Sequence, residues 1–532
     1  MSSNVRLSHG RHRNGLTLVE MLVATALTLI LFGAVAEMFA RMGASVNDAR
    51  STIELSGNLR SAGNHLRRDL GNVSVKVGPW VYPGSNQGYF QIIEGPDRDI
   101  DYASKLVGPA PAVGEPFPGS LAGDADDIVS FTAYSKEKPF VGLIQGHLES
   151  IPPAAGSAFK YTLNTSNTNE FTVITSHYAE VVYFTKLTRF DDRNLSENAN
   201  YQSLGLRDPD ETVTLFRRVF LIRPDIDVQT GLTGQSFHRV RNNFDLSVST
   251  GATSQWQANS LERLQDRRYR VGNFGPTLLG PIPAPFNPAH LLSFEQLYNF
   301  LNPDPAAIDT TIRNRTGEDV LMRKVLAFDV KVFDPYAVVQ QDTDSSTIAV
   351  LPGDREYADR SGLGVVGSDP TVAMRGAFVD LFWGQRPDGD GPANPSAINT
   401  AGSPNVPATG YPYGFAAAPH ARSGLDAVPA TPFNNSPSML KPVGENINQI
   451  PTLRYATYDT WPYAYLEGTN ADNGFDQDGD GIVDGLSERN AVANSMPPYP
   501  VPLRGMQISI RAIEEGTRII RQDTVTTNFM PR

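Results

Sequence analysis

The sequence predicts an α+β protein in which one long N-terminal helix packs on an antiparallel β-sheet body. Three observations carry that expectation. An apolar run opens at Leu16 and continues to about Ala36, apolar or small residues then recur at spacings of three and four as far as Leu70, and after Gly71 the chain breaks into short β-rich runs. A helix followed by a series of strands is the order expected of a helix covering a sheet.

The first element follows a basic flank, Arg6, Arg11 and Arg13, with no acidic residue before Gly15. Such a flank keeps its end of a membrane segment in the cytoplasm and places the bulk of the chain on the far side. Leu16–Ala36 is about the length needed to span a bilayer. Glu20 lies near the start of that run, where a carboxylate is expensive in lipid and therefore expected to have a partner. A plain anchor, and a secretory signal removed after Ala34-Val35-Ala36, are the competing readings of the segment.

Beyond Arg41, residues Leu55, Leu59, Ala62, Leu66 and Leu70 share one helix face, while Arg60, Arg67, Arg68 and Asp69 lie on others. This reads as a stem packed against the body. Continuous with the apolar run, it would be about 80 Å long at ~1.5 Å per residue. Gly33, Gly43, Gly57 and Gly63 are local weak points in it, or places of close helix contact.

Candidate strands are Ile128–Tyr134, Phe171–Thr175, Glu180–Leu187, Val213–Ile222, Val325–Phe333, Ala377–Trp383, Leu453–Tyr458, Met506–Ala512 and Arg518–Asn528. Phe328, Val330 and Val332 alternate with Asp329 and Lys331, which gives one buried and one exposed face and suits an antiparallel sheet. Two segments dense in Pro, Gly and Asn, 278–305 and 386–441, read as insertions of low order.

The formal charge of the 532-residue chain is −12. With its arginine-rich leader set aside the body is more acidic still, which argues against nucleic-acid binding. Cysteine is absent, so disulfides, thiolate nucleophiles and cysteine zinc sites are excluded, and packing or bound metal must supply the stability. The eight histidines show no metal-ligand spacing, and neither a phosphate-binding loop nor a nucleophile elbow occurs. The pairs Asp126-Asp127 and Asp191-Asp192 read as solvated turns rather than as an acid and base. No catalytic residue is assigned, and the chain is expected not to be an enzyme.

One motif has coordination chemistry in it. Asp476, Asp478, Asp480 and Asp484, with the Ile482 carbonyl between them, fall at the alternate positions of a calcium loop, and Gly479 and Gly481 allow it to turn. An EF-hand would need a bidentate Glu where Ser487 stands, with Glu488 one residue late. The segment 470–488 therefore resembles the short calcium loops of thrombospondin type 3 or dockerin-like repeats, with Asp472 or Glu488 completing the shell. Several carboxylates on a glycine loop favour Ca2+ over Mg2+, in a structural role. The bland alternative is a solvated acidic turn.

The stretch Gly15-Leu16-Thr17-Leu18-Val19-Glu20 resembles the N-terminal signal of type IV prepilins and type II secretion pseudopilins. That resemblance implies cleavage by prepilin peptidase between Gly15 and Leu16, methylation of the new N-terminus, and retention of the apolar helix. It makes Glu20 the fifth residue of the mature chain, where the family uses it in assembly. Leu16 stands where the family most often has phenylalanine, which bears on methylation. The stem around His65-Leu66-Arg67-Arg68-Asp69-Leu70, with the runs Val181–Phe184 and Leu215–Val219, resembles the larger minor subunits, the J-type pseudopilin or the W-type minor pilin.

The resemblance implies a leader at 1–15, a transmembrane helix at 16–40, a stem helix at 41–71 and a periplasmic β-rich body at 72–532. It implies a minor pseudopilin in the inner membrane, single-pass, with its leader cytoplasmic. Its partners would be prepilin peptidase and other pseudopilin or pilin subunits, which it joins near the tip of a secretion pseudopilus or a type IV pilus. The alternative is a membrane-anchored extracytoplasmic binding protein or exoenzyme whose leader merely looks like a prepilin's. A stem running directly onto an antiparallel sheet would favour the subunit, and a separate domain after a flexible linker would favour the anchored module.

Overall fold

The computed structural model describes residues 17–78, 80–81, 85–94, 123–125, 127–152, 158–187, 212–235, 237–250, 255–266, 269–271, 318–341, 349–351, 372–381, 415, 456–462, 499, 501–514 and 519–529. The protein is α+β: a long helix, Leu18–Gly71, and a body built on a ten-stranded sheet. It divides into two compact units, residues 1–57 with 514–519 and residues 58–513 with 520–532. The helix runs through Gly33, Gly43, Gly57 and Gly63 without interruption.

In the first unit the helix shows its apolar side chains to the outside: Leu18, Leu29, Ile30, Phe32 and Phe39 are each more than 65% exposed. Among the described residues it is one helix long and apolar enough to cross a membrane, by length and composition.

In the second unit the last turns of the helix lie against the sheet. Leu59, Ala62, Leu66 and Leu70 are buried, as their spacing predicts. The sheet runs, in spatial order, Ala456–Asp459, Phe90–Glu94, Ile128–Tyr134, Tyr178–Leu187, Val213–Leu221, Val320–Gln341, Gly505–Glu514 and Ile519–Asn528. From the first of these through Gly505–Glu514 the neighbours are antiparallel.

Val320–Gln341 is long enough to take several partners. Its first residues pair with Val213–Leu221 and its last with Val372–Val379. Residues 123–125 and 127 line the interval between, where Phe328 N donates to Asp124 O across 2.9 Å and Val330 N to Asp127 Oδ2 across 2.7 Å. Asp127 is therefore not the solvated turn residue the sequence suggested. It is fully buried and accepts the amide of Val330, a residue in register with Ile508 of Gly505–Glu514.

Eight of the nine strand ranges came out differently: Phe171–Thr175 runs on to Ser176, Met506–Ala512 widens to Gly505–Glu514, and the described part of Arg518–Asn528 is Ile519–Asn528. The strand expected at 325–333 extends over Val320–Gln341, and that at 377–383 over Val372–Val379; Glu180–Leu187 begins earlier at Tyr178, Val213–Ile222 stops at Leu221, and the described part of Leu453–Tyr458 is Ala456–Asp459. Phe90–Glu94, Phe140–Gln145, His147–Ser150 and Tyr161–Asn164 are strands the sequence reading did not anticipate. Phe140–Gln145 pairs with Phe171–Ser176 to form an accessory lobe with its own core, including Ile144, Leu163, Ile174, Val240, Phe244 and Trp256.

The lobe joins the sheet through buried polar groups. Glu180 accepts from Tyr89 Oη (2.7 Å), Ser247 Oγ (2.8 Å) and Val271 N (2.7 Å). Arg218 bridges Asp245 and Asp319 at 3.1 and 3.0 Å, and Arg270 meets Asp459 at 2.5 Å with both side chains fully buried. Paired in this way, the charges can be accommodated in the interior.

The insertions at 278–305 and 386–441 and the loop at 470–488 lie outside the described residues, except Phe415. That side chain is buried, donates its amide to Asp334 Oδ2 at 2.9 Å and packs its ring on Tyr458 and Tyr499.

Candidate functional site: the N-terminal segment and the stem

Thr17 precedes the first helical residue, and its side chain organises the start of the helix. Glu20 Oε2 accepts from Thr17 N at 2.9 Å and from Thr17 Oγ1 at 3.0 Å, while Thr17 Oγ1 accepts from Glu20 N at 3.2 Å. This is a reciprocal capping box, which satisfies amides the first helical turn leaves without partners. The box also gives Glu20 donors from its own chain at the end of an apolar segment, and a carboxylate near the positive end of the helix dipole is stabilised further.

Farther along, Thr25 and Thr28 turn their hydroxyls back onto the carbonyls of Met21 and Ala24, at 2.9 and 2.7 Å, so both are satisfied within the apolar helix itself. Of the residues singled out from the sequence, Glu20 sits in the first turn. Gly15 and Leu16 lie outside the described residues, as do Asp476, Asp478, Asp480, Ile482, Asp484 and Glu488.

At its other end the stem is fixed by charge as well as by packing. Asp69, 1% exposed, accepts from Arg217 Nε at 2.5 Å and from Tyr183 Oη at 2.6 Å. Burial, and then the Asp69 carboxylate, push the Tyr183 hydroxyl well above its ordinary pKa, so it stays a donor. Arg67 reaches Asp523 at 3.0 Å on the strand Ile519–Asn528. One turn before Asp69, His65 Nδ1 accepts from Arg68 Nη2 at 2.8 Å, since a guanidinium can only donate. Burial, then the charges of Arg68 and Arg217, hold the His65 pKa below its ordinary value.

A second cluster went unrecognised in the sequence. Glu94, Asp124 and Asp127, all fully buried, bring one carboxylate oxygen each within 4.8 Å of the others. Glu94 Oε2 accepts from Leu381 N at 3.1 Å and Asp127 Oδ2 from Val330 N. These are the described residues whose chemistry suits a hard cation. Nothing in their sequence spacing signals the group, because the fold brings the end of Phe90–Glu94 to the segment that precedes Ile128–Tyr134. Thr17 was missed as well, although a signal was present: Thr-x-x-Glu before an apolar run is the capping-box signature.

Residues 10–36 match the family described as the prokaryotic N-terminal methylation motif, a span that includes Gly15, Leu16, Thr17 and Glu20. No curated protein matches the chain. No solved structure matches it either. The matched segment opens an exposed apolar helix whose far end is received by an antiparallel sheet, an arrangement consistent with a prepilin- or pseudopilin-type protein.

Proposed function

We propose that the chain is a minor pseudopilin or minor pilin, a structural subunit and not an enzyme. In this reading it sits in the inner membrane with its body in the periplasm, is cut by prepilin peptidase between Gly15 and Leu16, and joins other subunits near the tip of a type II secretion pseudopilus or a type IV pilus. The observation that carries the reading is the stem: the helix opened by the matched segment ends packed against the sheet, with Leu59, Leu66 and Leu70 buried and Asp69 paired with Arg217. An anchored binding protein or exoenzyme needs only a tether, and a tether has no use for that docking.

Glu20 then pairs with the free α-amino group of Leu16, its own or a neighbour's, as the apolar helix passes from lipid into a bundle of like helices. Opposite charges attract strongly where the dielectric is low, and this sets the register of the incoming subunit. A body of this size is bulky for a repeating shaft, which favours a tip position in low copy number. The spacing of Asp476, Asp478, Asp480, Ile482 and Asp484, with Glu488, supports a structural Ca2+ in the late loop.

The test is intact-mass and N-terminal analysis of protein purified from its native membrane. A chain beginning at Leu16 supports the reading, with an added methyl mass reporting on methylation. A chain beginning at any other residue refutes it.

A further inference from the structure

The accessory lobe contains two small sheets that meet at a corner. Phe140–Gln145 pairs with Phe171–Ser176 in one, and His147–Ser150, Tyr161–Asn164 and Ile226–Asp227 make the other. Gly146 is the one residue between Phe140–Gln145 and His147–Ser150. Its φ is +90°, and a Cβ there would fall 2.1 Å from Asn164 O, so glycine is what lets the chain turn from one sheet into the other. Backbone bonds pin the turn on one side: Gly146 N donates to Glu170 O at 2.7 Å, and Thr172 Oγ1 donates to Gly146 O at 2.6 Å.

His147 stands immediately past the corner, between two carboxylates. Its Nδ1 lies 3.2 Å from Glu170 Oε2 and its Nε2 3.3 Å from Glu149 Oε1. An ionised carboxylate can only accept, and a neutral imidazole has a single N–H to give. Whichever tautomer the neutral ring adopts, one nitrogen turns a lone pair toward a carboxylate; the imidazolium satisfies both. Each distance exceeds the about 2.7–2.9 Å of a closed charge-assisted bond, which leaves the contacts room to shorten when the second proton arrives. Glu149 stays an acceptor, because hydrogen bonds from Asn164 Nδ2, at 2.5 Å, and then from His147 hold its carboxyl below its ordinary pKa.

The elements around the ring add acid rather than competing cations. Asp227 lies in the cross-strand row of Glu149, with Thr162 between them. Phe140–Gln145, Tyr161–Asn164 and Phe171–Ser176 carry no charged residue. Arg239, on the helix Phe237–Asn243, donates to Gln145 Oε1 at 3.0 Å. Lys160 precedes the opposite end of the Tyr161–Asn164 strand and acts on Asp225.

We propose that His147, Glu149 and Glu170 form a proton-operated clip on this corner. With both ring nitrogens protonated, the imidazolium ties His147–Ser150 to the segment that enters Phe171–Ser176; with a neutral ring, one tie is lost and the two carboxylates repel. Histidine ordinarily changes charge between about pH 5 and 8, so the clip closes on mild acidification. It works inside one chain and holds whether or not that chain joins a filament. The three side chains are roughly half exposed, at 40%, 54% and 42% for His147, Glu149 and Glu170. Pairs that open to water add little to overall stability, so the clip governs local opening of the corner and not unfolding of the body.

Amide exchange of the full chain in detergent tests the clip at about pH 5.5 and about pH 8. It is read by mass spectrometry on peptides spanning residues 144–150 and 168–173, and corrected for the intrinsic pH dependence of exchange. The expected result is protection several-fold greater at the acidic pH, absent in His147→Gln and reduced in Glu149→Gln and Glu170→Gln, while the Tyr178–Leu187 peptide gains nothing. General acid destabilisation would lower protection, so it cannot mimic a gain confined to the corner. Equal protection at the two pH values, or a gain that survives His147→Gln, overturns the proposal. Should His147→Gln lose the near-ultraviolet circular dichroism of the folded chain, the two carboxylate variants carry the comparison, and a gain undiminished in both overturns the proposal in the same way.

Discussion

Asp69 of the stem holds Arg217 of the sheet across 2.5 Å, in a place where the aspartate is almost wholly shielded from water. The contact joins the C-terminal turn of a helix whose other end is suited to lipid to the central strand Val213–Leu221. Tyr183, on the adjacent strand, completes the set of donors. The last turn of the helix is thereby fixed to the sheet by a hydrogen-bonded ion pair as well as by apolar packing.

Removing that carboxylate leaves Arg217 and Tyr183 without their acceptor in a part-buried site. Asp69→Ala is expected to destabilise the body by about 3 kcal/mol, since breaking a buried pair costs more than the intact pair contributes. Thermal unfolding in detergent, followed by near-ultraviolet circular dichroism, measures it, and an unchanged midpoint would show that apolar packing alone holds the stem.

His65 makes the docking sensitive to acid. Burial and the neighbouring arginines lower its folded pKa below 6.5, so in the window beneath 6.5 the unfolded chain binds the proton more readily than the folded one. Stability is complete above 6.5 and falls as the pH drops through the window toward the lowered folded value. Protonation also removes the acceptor for Arg68. Hydrogen exchange of residues 58–71 should quicken between neutral and mildly acidic pH, and His65→Gln should flatten that response.

Thr17 and Glu20 form one device, and their variants separate its two duties. Thr17→Val removes the cap hydroxyl and should weaken the first turn by about 1 kcal/mol, seen as faster amide exchange at residues 18–21 in micelles, while Thr17→Ser retains it.

Glu20→Ala is expected to leave membrane insertion intact and to impair incorporation into the filament, the effect predicted by pairing with the α-amino group of Leu16. Fractionation of membranes and sheared filaments reads both outcomes, and normal incorporation would remove the pairing role.

Calcium binding at 476–484 should raise the unfolding temperature of the full chain, and a chelator should reverse the gain. Asp478→Asn and Asp480→Asn should each abolish the response by removing charged ligands. A calcium-independent transition would leave the segment an acidic turn.

The helix was legible because its signals are local. A run of apolar residues and a three-and-four spacing through Leu59, Leu66 and Leu70 each fall within a few turns, and the alternation around Phe328 announces a sheet strand in the same way. Phe90–Glu94 escaped because all five residues are buried, including Gln91 and Glu94, so no alternation of polar and apolar positions marks it. Phe140–Gln145 carries Gly142 in its middle, a residue that argues against a strand until the close approach of Leu221 and Asp245 is seen.

By itself, then, the sequence determined the N-terminal segment, the helix and the α+β class, since these depend on periodicity and on the cost of placing charge in lipid. Only the tertiary structure decided which polar residues are interior. Asp127 accepts an amide of Val320–Gln341, Glu94 joins it and neighbouring Asp124 from the strand Phe90–Glu94, and Asp69 waits on Arg217, which follows it by well over a hundred residues. A buried charge is tolerated only when its partners arrive, and those partners come from distant strands whose register no local pattern encodes.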